Sequence, residues 1–501
     1  MITSGPDHVG ERIDCDVLIV GSGAGGGAAA WRLARAGLRV VCLEEGGHYT
    51  EADFSQDVGT AWRQLYAEDG QRLMSGSLFI PVAGGKALGG STVVNSGICF
   101  RIPEWRFDEW HDEYGIDFRW EELLGKLLEA EEVIGVTRVN TAVWGGNNQF
   151  LEEARQTLGW SGGPMQRNAP NCVGCGACNS GCPSGAKLSV AKTYIPRAEK
   201  HGAGFVTHAR AERAILEGTR ITGVLAGALD PATEESVGTF EVRAKAVVLA
   251  GGAIQTPAFL LHNGLGNEHV GKHLHVHPGI GAICKTDQKI QGWRGMVQAF
   301  YVDEFLHSDR YILESYWATP EIYYQSFPFG MDGTSAMQGF GKMAALGGVI
   351  ADETEGSIRS MGTPGRVKIR YDLTEADKNR LVRMQRKSVE VMLAGGGFEI
   401  QTAIYGVPPI STLADADRFL VPENIKPKQL MAVYSSHPHG STRMSVDPAK
   451  GAVDCSGAVY GTEGLYVMDG SVFPDVLGVN PQVTIMALSS LLADRLASTL
   501  T

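Results

Sequence analysis

Between Asp14 and Gly46 the chain reads DCDVLIVGSGAGGGAAAWRLARAGLRVVCLEEG, and no other stretch restricts the possible folds so tightly. Val17 to Val20 are apolar and strand-like, and Leu38 to Leu43 form a second apolar run. Between them Gly21, Ser22, Gly23, Ala24, Gly25 and Gly26 fit G-x-G-x-x-G and lead into an Ala-rich helical segment, Ala24 to Ala36. Glu44 closes the second strand about 20 residues after the glycines, where an acid meets a ribose hydroxyl. Strand, glycine turn, helix, strand and acid in that order predict a dinucleotide site. The glycines let the backbone approach a pyrophosphate, and the free N–H groups at the positive end of the helix face that anion. The motif by itself is common to NAD and FAD sites.

The chain has 501 residues, enough for roughly two to four domains. Sixty-five are glycine, nearly twice average usage, as glycine-lined cofactor contacts or many tight loops require. Net charge is −12 and Lys and Arg are scattered, so neither nucleic acid nor an anionic membrane surface is an expected partner. The opening MITSGPDHVGERIDCDV has no apolar signal core and no twin arginine, and no run of about 18 apolar residues occurs. A cytoplasmic protein without a spanning helix is expected, export beside a signal-bearing partner being the alternative. Of nine cysteines, four stand at 172, 175, 178 and 182, a density that suits a metal or cluster better than a disulfide framework.

After Glu44 a polar stretch runs to about residue 80. Gly85-Lys86 resembles part of a P-loop, but Ala87 replaces the hydroxyl residue that would hold magnesium. Apolar spacing predicts a packed helix over 120–136 and strands over 211–216, 221–229 and 239–249. Helices are expected from Gln255 to His262 and from Glu375 to Leu393. Residues 145–192, rich in Gly, Asn, Cys and Pro, read as irregular loop, and 285–425 alternates as an antiparallel sheet does.

Four stretches together resemble the glucose–methanol–choline (GMC) oxidoreductase family. The first is the fingerprint above. The second is GKALGGSTVVN, Gly85 to Asn95, similar to a flavin-covering GG-S-T-x-x-N loop. The third is GAIQTPAFLLHNGLG, Gly252 to Gly266, which departs from the family pattern at Phe259 and Asn263. The fourth is HPHGSTRM from His437, followed by LYVMDGSVFPDVLGVNP from Leu465. CFRIPEW after Asn95 and GVNP near the end most resemble the long-chain alcohol oxidase and cholesterol oxidase branches.

The resemblance implies an α/β architecture. A Rossmann-like FAD-binding domain would come from 12–105, 190–284 and 430–501, an antiparallel-sheet substrate domain from 106–170 and 285–429, and a cysteine-rich loop from 171–189. It implies FAD rather than NAD. The FAD would be held non-covalently, because Val94 stands where some members attach flavin to a histidine. The implied cofactor-lining set is Gly21, Gly23, Ala24, Gly26, Glu44, Gly89, Gly90, Ser91, Asn95, Ala211, Ala250, Gly251, Asp469 and Pro481, with Asp469 and Ser471 toward the phosphate or ribityl chain.

His437 matches the family's catalytic histidine and Asn480 the second catalytic position. A neutral imidazole can take a hydroxyl proton while hydride leaves carbon, and an amide can hold the oxygen without charge. Asn480-Pro481 also reads as the N-cap and first residue of a helix over 482–500, whose positive end would face the flavin. His439 reads as an accessory group. His273, His275 and His277 alternate as in a strand and mimic a metal site, although the family has a similar stretch without metal.

Cys172-x2-Cys175-x2-Cys178-x3-Cys182-Pro183 has the bacterial ferredoxin spacing and predicts a 3Fe–4S or 4Fe–4S cluster; zinc and an inert loop are the alternatives. A four-iron cluster would need Cys182 or a distant Cys99, Cys284 or Cys455 as its last ligand. The expected function is an FAD-dependent alcohol dehydrogenase acting on a primary or secondary alcohol, with electrons passed through the cluster to a protein or quinone-like acceptor. An oxygen-using alcohol oxidase is the runner-up, followed by a hydroxynitrile-lyase-type enzyme and a non-catalytic electron carrier.

Overall fold

A computed structural model describes the chain except for residues 318, 319, 321–330 and 431, so part of the 285–425 span lies outside the described residues. The apolar run Val17–Val20 is a buried strand, the glycines turn the chain, and helix α1 (Ala24–Arg35) returns it to Val40–Leu43. These strands form the centre of a six-stranded parallel sheet. Its order is Ile2–Ser4, Gly204–Thr207, Val40–Leu43, Val17–Val20, Ala246–Leu249, Leu465–Val467. Such strands are covered on both faces, which is why they read as continuous apolar runs.

Close packing explains the glycines. Gly21 has φ +97°, and a Cβ there would meet the Ala250 carbonyl at 2.5 Å. On Gly25 it would meet the Met468 carbonyl at 2.0 Å, and on Gly26 the Gly21 carbonyl at 1.9 Å. These glycines therefore set how closely α1 approaches the sheet.

The overlapping apolar runs 239–249 and 246–252, the second a buried strand leading into glycines, resolve into two strands. Ser236–Arg243 joins a four-stranded sheet with Ala209–Glu217, Arg220–Leu229 and Arg12–Asp14, whereas Ala246–Leu249 enters the parallel sheet and leads into α2 (Gly252–His262). The 285–425 span supplies most of an antiparallel sheet, ordered Phe398–Thr402, Gly279–Lys285, Met343–Ile350, Tyr311–Ser315, Phe300–Val302, Gly163–Pro164. Helix α3 (Glu375–Ala394) covers it, burying Leu381, Met384, Val389 and Met392.

The polar stretch after Glu44 contains the helix Val58–Leu65, and the span 145–192, read as irregular, contains the helix Gly146–Leu158. In the second, the Asn residues that suggested a loop bind buried carbonyls. Asn147 Nδ2 donates to Tyr316 and Ala345, and Asn148 Nδ2 to Trp144 and Met296.

Helix α4 (Gln482–Leu500) is long and apolar enough to cross a membrane by length and composition. It lies inside the protein, packed on α1 and on Trp120–Val133, and both Arg32 and Lys126 pair with its Asp494 at 2.7 Å.

Candidate active site

Strand register places Val20, Leu43 and Leu249 side by side, so Gly21, Glu44 and Ala250 emerge at one edge of the parallel sheet. Ligands bind open parallel sheets at that edge. α1 begins there at Ala24 with Gly23 as N-cap, and no side chain satisfies its first N–H groups. The loop 89–98 lies across it. Gly89 N–H donates to Ser22 Oγ at 3.0 Å, and a Cβ on Gly90 would come within 2.7 Å of Gly23 Cα. Further along, Asn95 Nδ2 donates to Gln482 Oε1 at 2.9 Å. One loop thus runs from the glycine turn to the start of α4. An uncapped helix end and a backbone cradle open only to glycine fit the pyrophosphate of FAD.

Other expected lining residues are tied into the protein. Glu44 is buried and accepts from Ser22 N–H at 3.1 Å, Ser22 Oγ–H at 2.6 Å and Gly46 N–H at 2.9 Å. Burial raises its pKa, and these bonds oppose the rise. Asp469 accepts from Gly252 N–H at 2.8 Å, Thr256 Oγ–H at 2.6 Å and Ser471 N–H at 2.8 Å, fastening the end of Leu465–Val467 to the start of α2. Gly251 is the N-cap of α2. Ser91 Oγ accepts from Gly85 N–H at 2.9 Å on the exposed side of its loop, and Ala211 sits at a bulge in Ala209–Glu217.

His437 belongs to a cluster of four histidines. His275 and His439 exchange backbone hydrogen bonds at 3.0 and 2.9 Å, aligning 273–277 with 437–440. Asp352 accepts from Val276 N–H and His277 N–H at 3.0 Å each, and from Tyr371 O–H at 2.8 Å. These bonds hold His277 at φ +48°, a left-handed conformation that costs an ordinary residue roughly 1–2 kcal/mol. His277 Nε2 accepts Gly478 N–H at 2.8 Å, and its Nδ1 lies 3.4 Å from His437 Nδ1. His439 Nε2 accepts Leu477 N–H at 3.1 Å, and its Nδ1–H donates to the His437 carbonyl at 2.7 Å. The loop carrying Asn480 therefore hangs from two imidazoles that must be neutral to accept these bonds.

Burial supplies that neutrality. It pushes His277 well below its ordinary range, His437 down to about 3 and His439 to about 4, with neighbouring histidines adding to the effect. Burial also disfavours charge on His275. Asp352 at 3.6 Å and Asp475 at 3.1 Å outweigh it and hold His275 up to about 10. His273 pairs instead with Glu355 at 2.7 Å and His269 at 2.9 Å. Among the described residues no three His, Cys, Asp or Glu side chains converge where a metal ion could sit.

Asn480 Nδ2 lies 3.2 Å from His437 Nε2. The expected capping role is not realised. Pro481 is the N-cap of α4, and Asn480 Oδ1 is buried without a partner, because the side chain turns toward His437. Beside it stands Glu314, 5% exposed on Tyr311–Ser315, with Oε1 unpartnered. Burial raises the Glu314 carboxyl to about 7, and contact with the Asn480 amide opposes the rise. Nothing in the sequence marks Glu314, which is one residue of an apolar strand.

The cysteine loop gives the expected iron–sulfur cluster no support. All four thiols are free, and they occupy separate local contacts. Cys172 Sγ accepts Gly174 N–H at 3.4 Å, Cys182 Sγ accepts Lys187 N–H at 3.3 Å, and Cys178 Sγ accepts from Arg167 Nη2 at 3.2 Å. Gly174, Gly176 and Gly181, at φ +69°, +74° and +91°, turn the chain between successive cysteines. As placed, Cys172, Cys175, Cys178 and Cys182 do not fit an iron–sulfur cluster, and Cys99, Cys284 and Cys455 are buried at other places. The loop is fastened instead to residues 93–96. Asn179 Nδ2 donates to the Val94 carbonyl at 2.9 Å, and Lys187 Nζ to Val93, Asn95 and Cys178 carbonyls at 2.7, 2.6 and 2.7 Å. Arg167 Nη2 donates to the Ser96 carbonyl.

Comparison with known proteins places this geometry. Residues 42–279 and 353–489 match the N- and C-terminal models of the GMC oxidoreductase family, and 19–56 match an NAD(P)-binding Rossmann-like domain. An uncharacterised GMC-type oxidoreductase of Mycobacterium tuberculosis is 35% identical over 96% of this chain and 75% of its own. A long-chain-alcohol oxidase of Arabidopsis thaliana is 30% identical over 99% of this chain and 69% of its own. Among solved structures, pyridoxine 4-oxidase from Mesorbium loti superposes with a TM-score of 0.73 at 20% identity, covering 96% of this chain and 99% of its own. Formate oxidase does so with 0.74 at 16% identity, covering 98% and 100%.

Proposed function

The chain belongs to the GMC oxidoreductase family and is an FAD-dependent oxidoreductase, and on that footing we propose that it oxidises a primary or secondary alcohol and returns the electrons to dioxygen. The observation that carries the reading is the pairing of neutral His437 with Asn480 at 3.2 Å, where the sheet edge and the histidine cluster meet. FAD held between the glycine turn at Gly21–Gly26 and the loop 89–98 would supply a hydride acceptor for the alcohol carbon and a route for the electron pair and two protons to dioxygen, giving hydrogen peroxide.

The chain's own residues do the rest. His437 Nε2 and Asn480 Nδ2 hold one alcohol oxygen between them. Taking the hydroxyl proton at Nε2 requires the His437 tautomer that carries its own proton on Nδ1, so the 3.4 Å contact with His277 Nδ1–H must be given up; the amide keeps its bond to the oxygen as the carbonyl forms. His277 and His439, through Gly478 and Leu477, fix the loop that positions Asn480. The long-chain-alcohol oxidases among the relatives support an apolar alcohol.

Two observations support dioxygen as acceptor over the expected cluster: these relatives are oxidases, and the four thiols lie in separate contacts. A second reading, the cluster-bearing dehydrogenase, is favoured by one observation. Arg167 and Lys187 are buried beside Cys178 without a carboxylate, a charge that an anionic sulfur site would balance.

Anaerobic mixing with alcohols of increasing chain length tests the reading. It predicts bleaching of the flavin, and one hydrogen peroxide per alcohol once air is admitted. Failure of every alcohol to bleach it sinks the reading. Iron and sulfide in anaerobically purified protein, with little peroxide, would select the second.

A further inference from the structure

We propose that Arg167 and Lys187 act as a buried cationic pair that raises the two-electron midpoint potential of bound FAD. The inference goes beyond the proposed alcohol oxidation and needs only that FAD is bound.

Both side chains are almost wholly inside the protein, Arg167 at 1% exposure and Lys187 at 3%. Burying an ammonium and a guanidinium is costly, and proteins usually place a carboxylate beside each. Among the described residues neither has one. Lys187 Nζ spends its N–H groups on the carbonyls of Val93, Asn95 and Cys178. Arg167 reaches the Ser96 carbonyl and Cys178 Sγ through Nη2, while its Nε and Nη1 have no partner. A cavity of about 50 Å³ beside Arg167 is lined by Arg138, Asn140 and Cys172 among others, and by no acid. Among the described residues the Cys178 sulfur is the one group in contact that could balance the two charges.

Their location gives the charge a use. Three of the carbonyls they hold, those of Val93, Asn95 and Ser96, belong to the loop that begins against Gly23 and reaches Gln482, two residues past Asn480. A dinucleotide whose pyrophosphate sits at the start of α1 and whose reactive ring meets His437 and Asn480 runs along that loop. The cations therefore stand behind the wall of the flavin site, in a medium that screens them poorly. Burial pulls Lys187 down to about 8, so both side chains are charged at neutral pH; two-electron reduction adds negative charge to the flavin ring, and their positive field favours the reduced form. Neither residue touches substrate, so their role is electrostatic positioning.

The test uses purified holoprotein and three variants, Lys187→Met, Arg167→Gln and Lys187→Arg. FAD content, iron content, midpoint potential and the dissociation constant for sulfite, an anion that bleaches oxidised flavin, are measured on each. Lys187→Met and Arg167→Gln are expected to retain FAD and bind sulfite about tenfold more weakly. Their midpoint potentials should fall by about 30 mV, the same factor for a two-electron couple. Lys187→Arg keeps the charge and is expected to keep the wild-type potential.

FAD-loaded variants with wild-type potential and sulfite affinity overturn the proposal, as does a potential change confined to preparations that have lost iron. Should Lys187→Met fail to fold, Arg167→Gln decides, because Arg167 holds a single carbonyl of the loop. Wild-type protein that cannot be loaded with FAD would sink the family-level reading and this proposal together. Loaded wild type with unchanged variants sinks this proposal alone.

Discussion

Two clusters of buried polar side chains meet near the start of α4, and they are built on opposite rules. In the histidine cluster the protein answers its own charges. His275 is an imidazolium between Asp352 and Asp475, and the backbone N–H groups of residues 477 and 478 fill the acceptor nitrogens of His439 and His277. In the cation–cysteine cluster, carbonyls stand in for carboxylates, and Arg167 keeps two bare N–H-bearing nitrogens. The first cluster balances its charge without a ligand, and the polar atom it leaves open beside His437 is Asn480 Oδ1. The second has charge left over, and that charge faces the cofactor wall.

The sharpest attempt to break this contrast removes the point on which the histidines converge. His437→Ala is expected to slow flavin reduction by alcohol by about 10²–10⁴-fold while FAD content stays at the wild-type level, checked by anaerobic stopped flow. A variant reducing its flavin at full speed would show that the cluster serves structure alone.

Next in size is the charge balance of that cluster. Asp475→Asn leaves His275 short of one of its two carboxylates and should cost about 3–5 kcal/mol in denaturant unfolding, the usual penalty for breaking a buried pair. A loss below about 1 kcal/mol would mean that the histidine cluster is no more self-contained than its neighbour.

The pH dependence sharpens the same point. The folded pKa of His275, about 10, lies above its ordinary 6.5. Its contribution is therefore fully present below about pH 6.5 and is lost as pH rises through about 10. Glu314 acts in the same direction for another reason. Folded, it keeps its proton to about 7, whereas unfolded it releases the proton near 4.5. Stability then falls between those values, by about 3.5 kcal/mol for a shift of about 2.5 at ~1.4 kcal/mol each. Glu314→Gln should recover most of that at pH 8 and little at pH 4, read from unfolding curves at the two values.

The smallest effects belong to the half-buried thiols. Cys172→Ser, Cys175→Ser and Cys182→Ser should each change stability by less than about 0.5 kcal/mol and leave the visible spectrum unaltered. Loss of a brown absorbance in any of them would restore the cluster that the cysteine spacing suggests.

The legible parts of this molecule are those whose physics is local. The fingerprint at Gly21–Gly26 is readable because strand, turn and helix are neighbours in sequence, and because glycine there answers to contacts as close as 1.9 Å. His437 and Asn480 could be named because they sit in motifs. Asp352, Asp475 and Glu314 could not, since each matters only through a residue from another part of the chain. The alternating His273, His275 and His277 carried a signal, but it pointed equally to a metal site. The cysteine spacing says which ligands could reach a metal, whereas Gly174, Gly176 and Gly181 decide where the sulfurs go. The helix Gly146–Leu158 was hidden by Asn147 and Asn148, polar residues committed to the core.

The parallel sheet draws strands from Ile2–Ser4 at one side to Leu465–Val467 at the other, and α4 packs on α1 across almost the whole length of the chain. During synthesis the strand Ile2–Ser4 of this sheet is made long before the strand Leu465–Val467 that completes it. Until residues 465–500 have been made, Ala246–Leu249 is an open edge, the α4-facing side of α1 is bare, and Asn480 does not yet exist. Contacts of such sequence separation form slowly and leave apolar surface exposed meanwhile. A truncation before residue 465 would spare every glycine of the fingerprint and still yield no working flavin site.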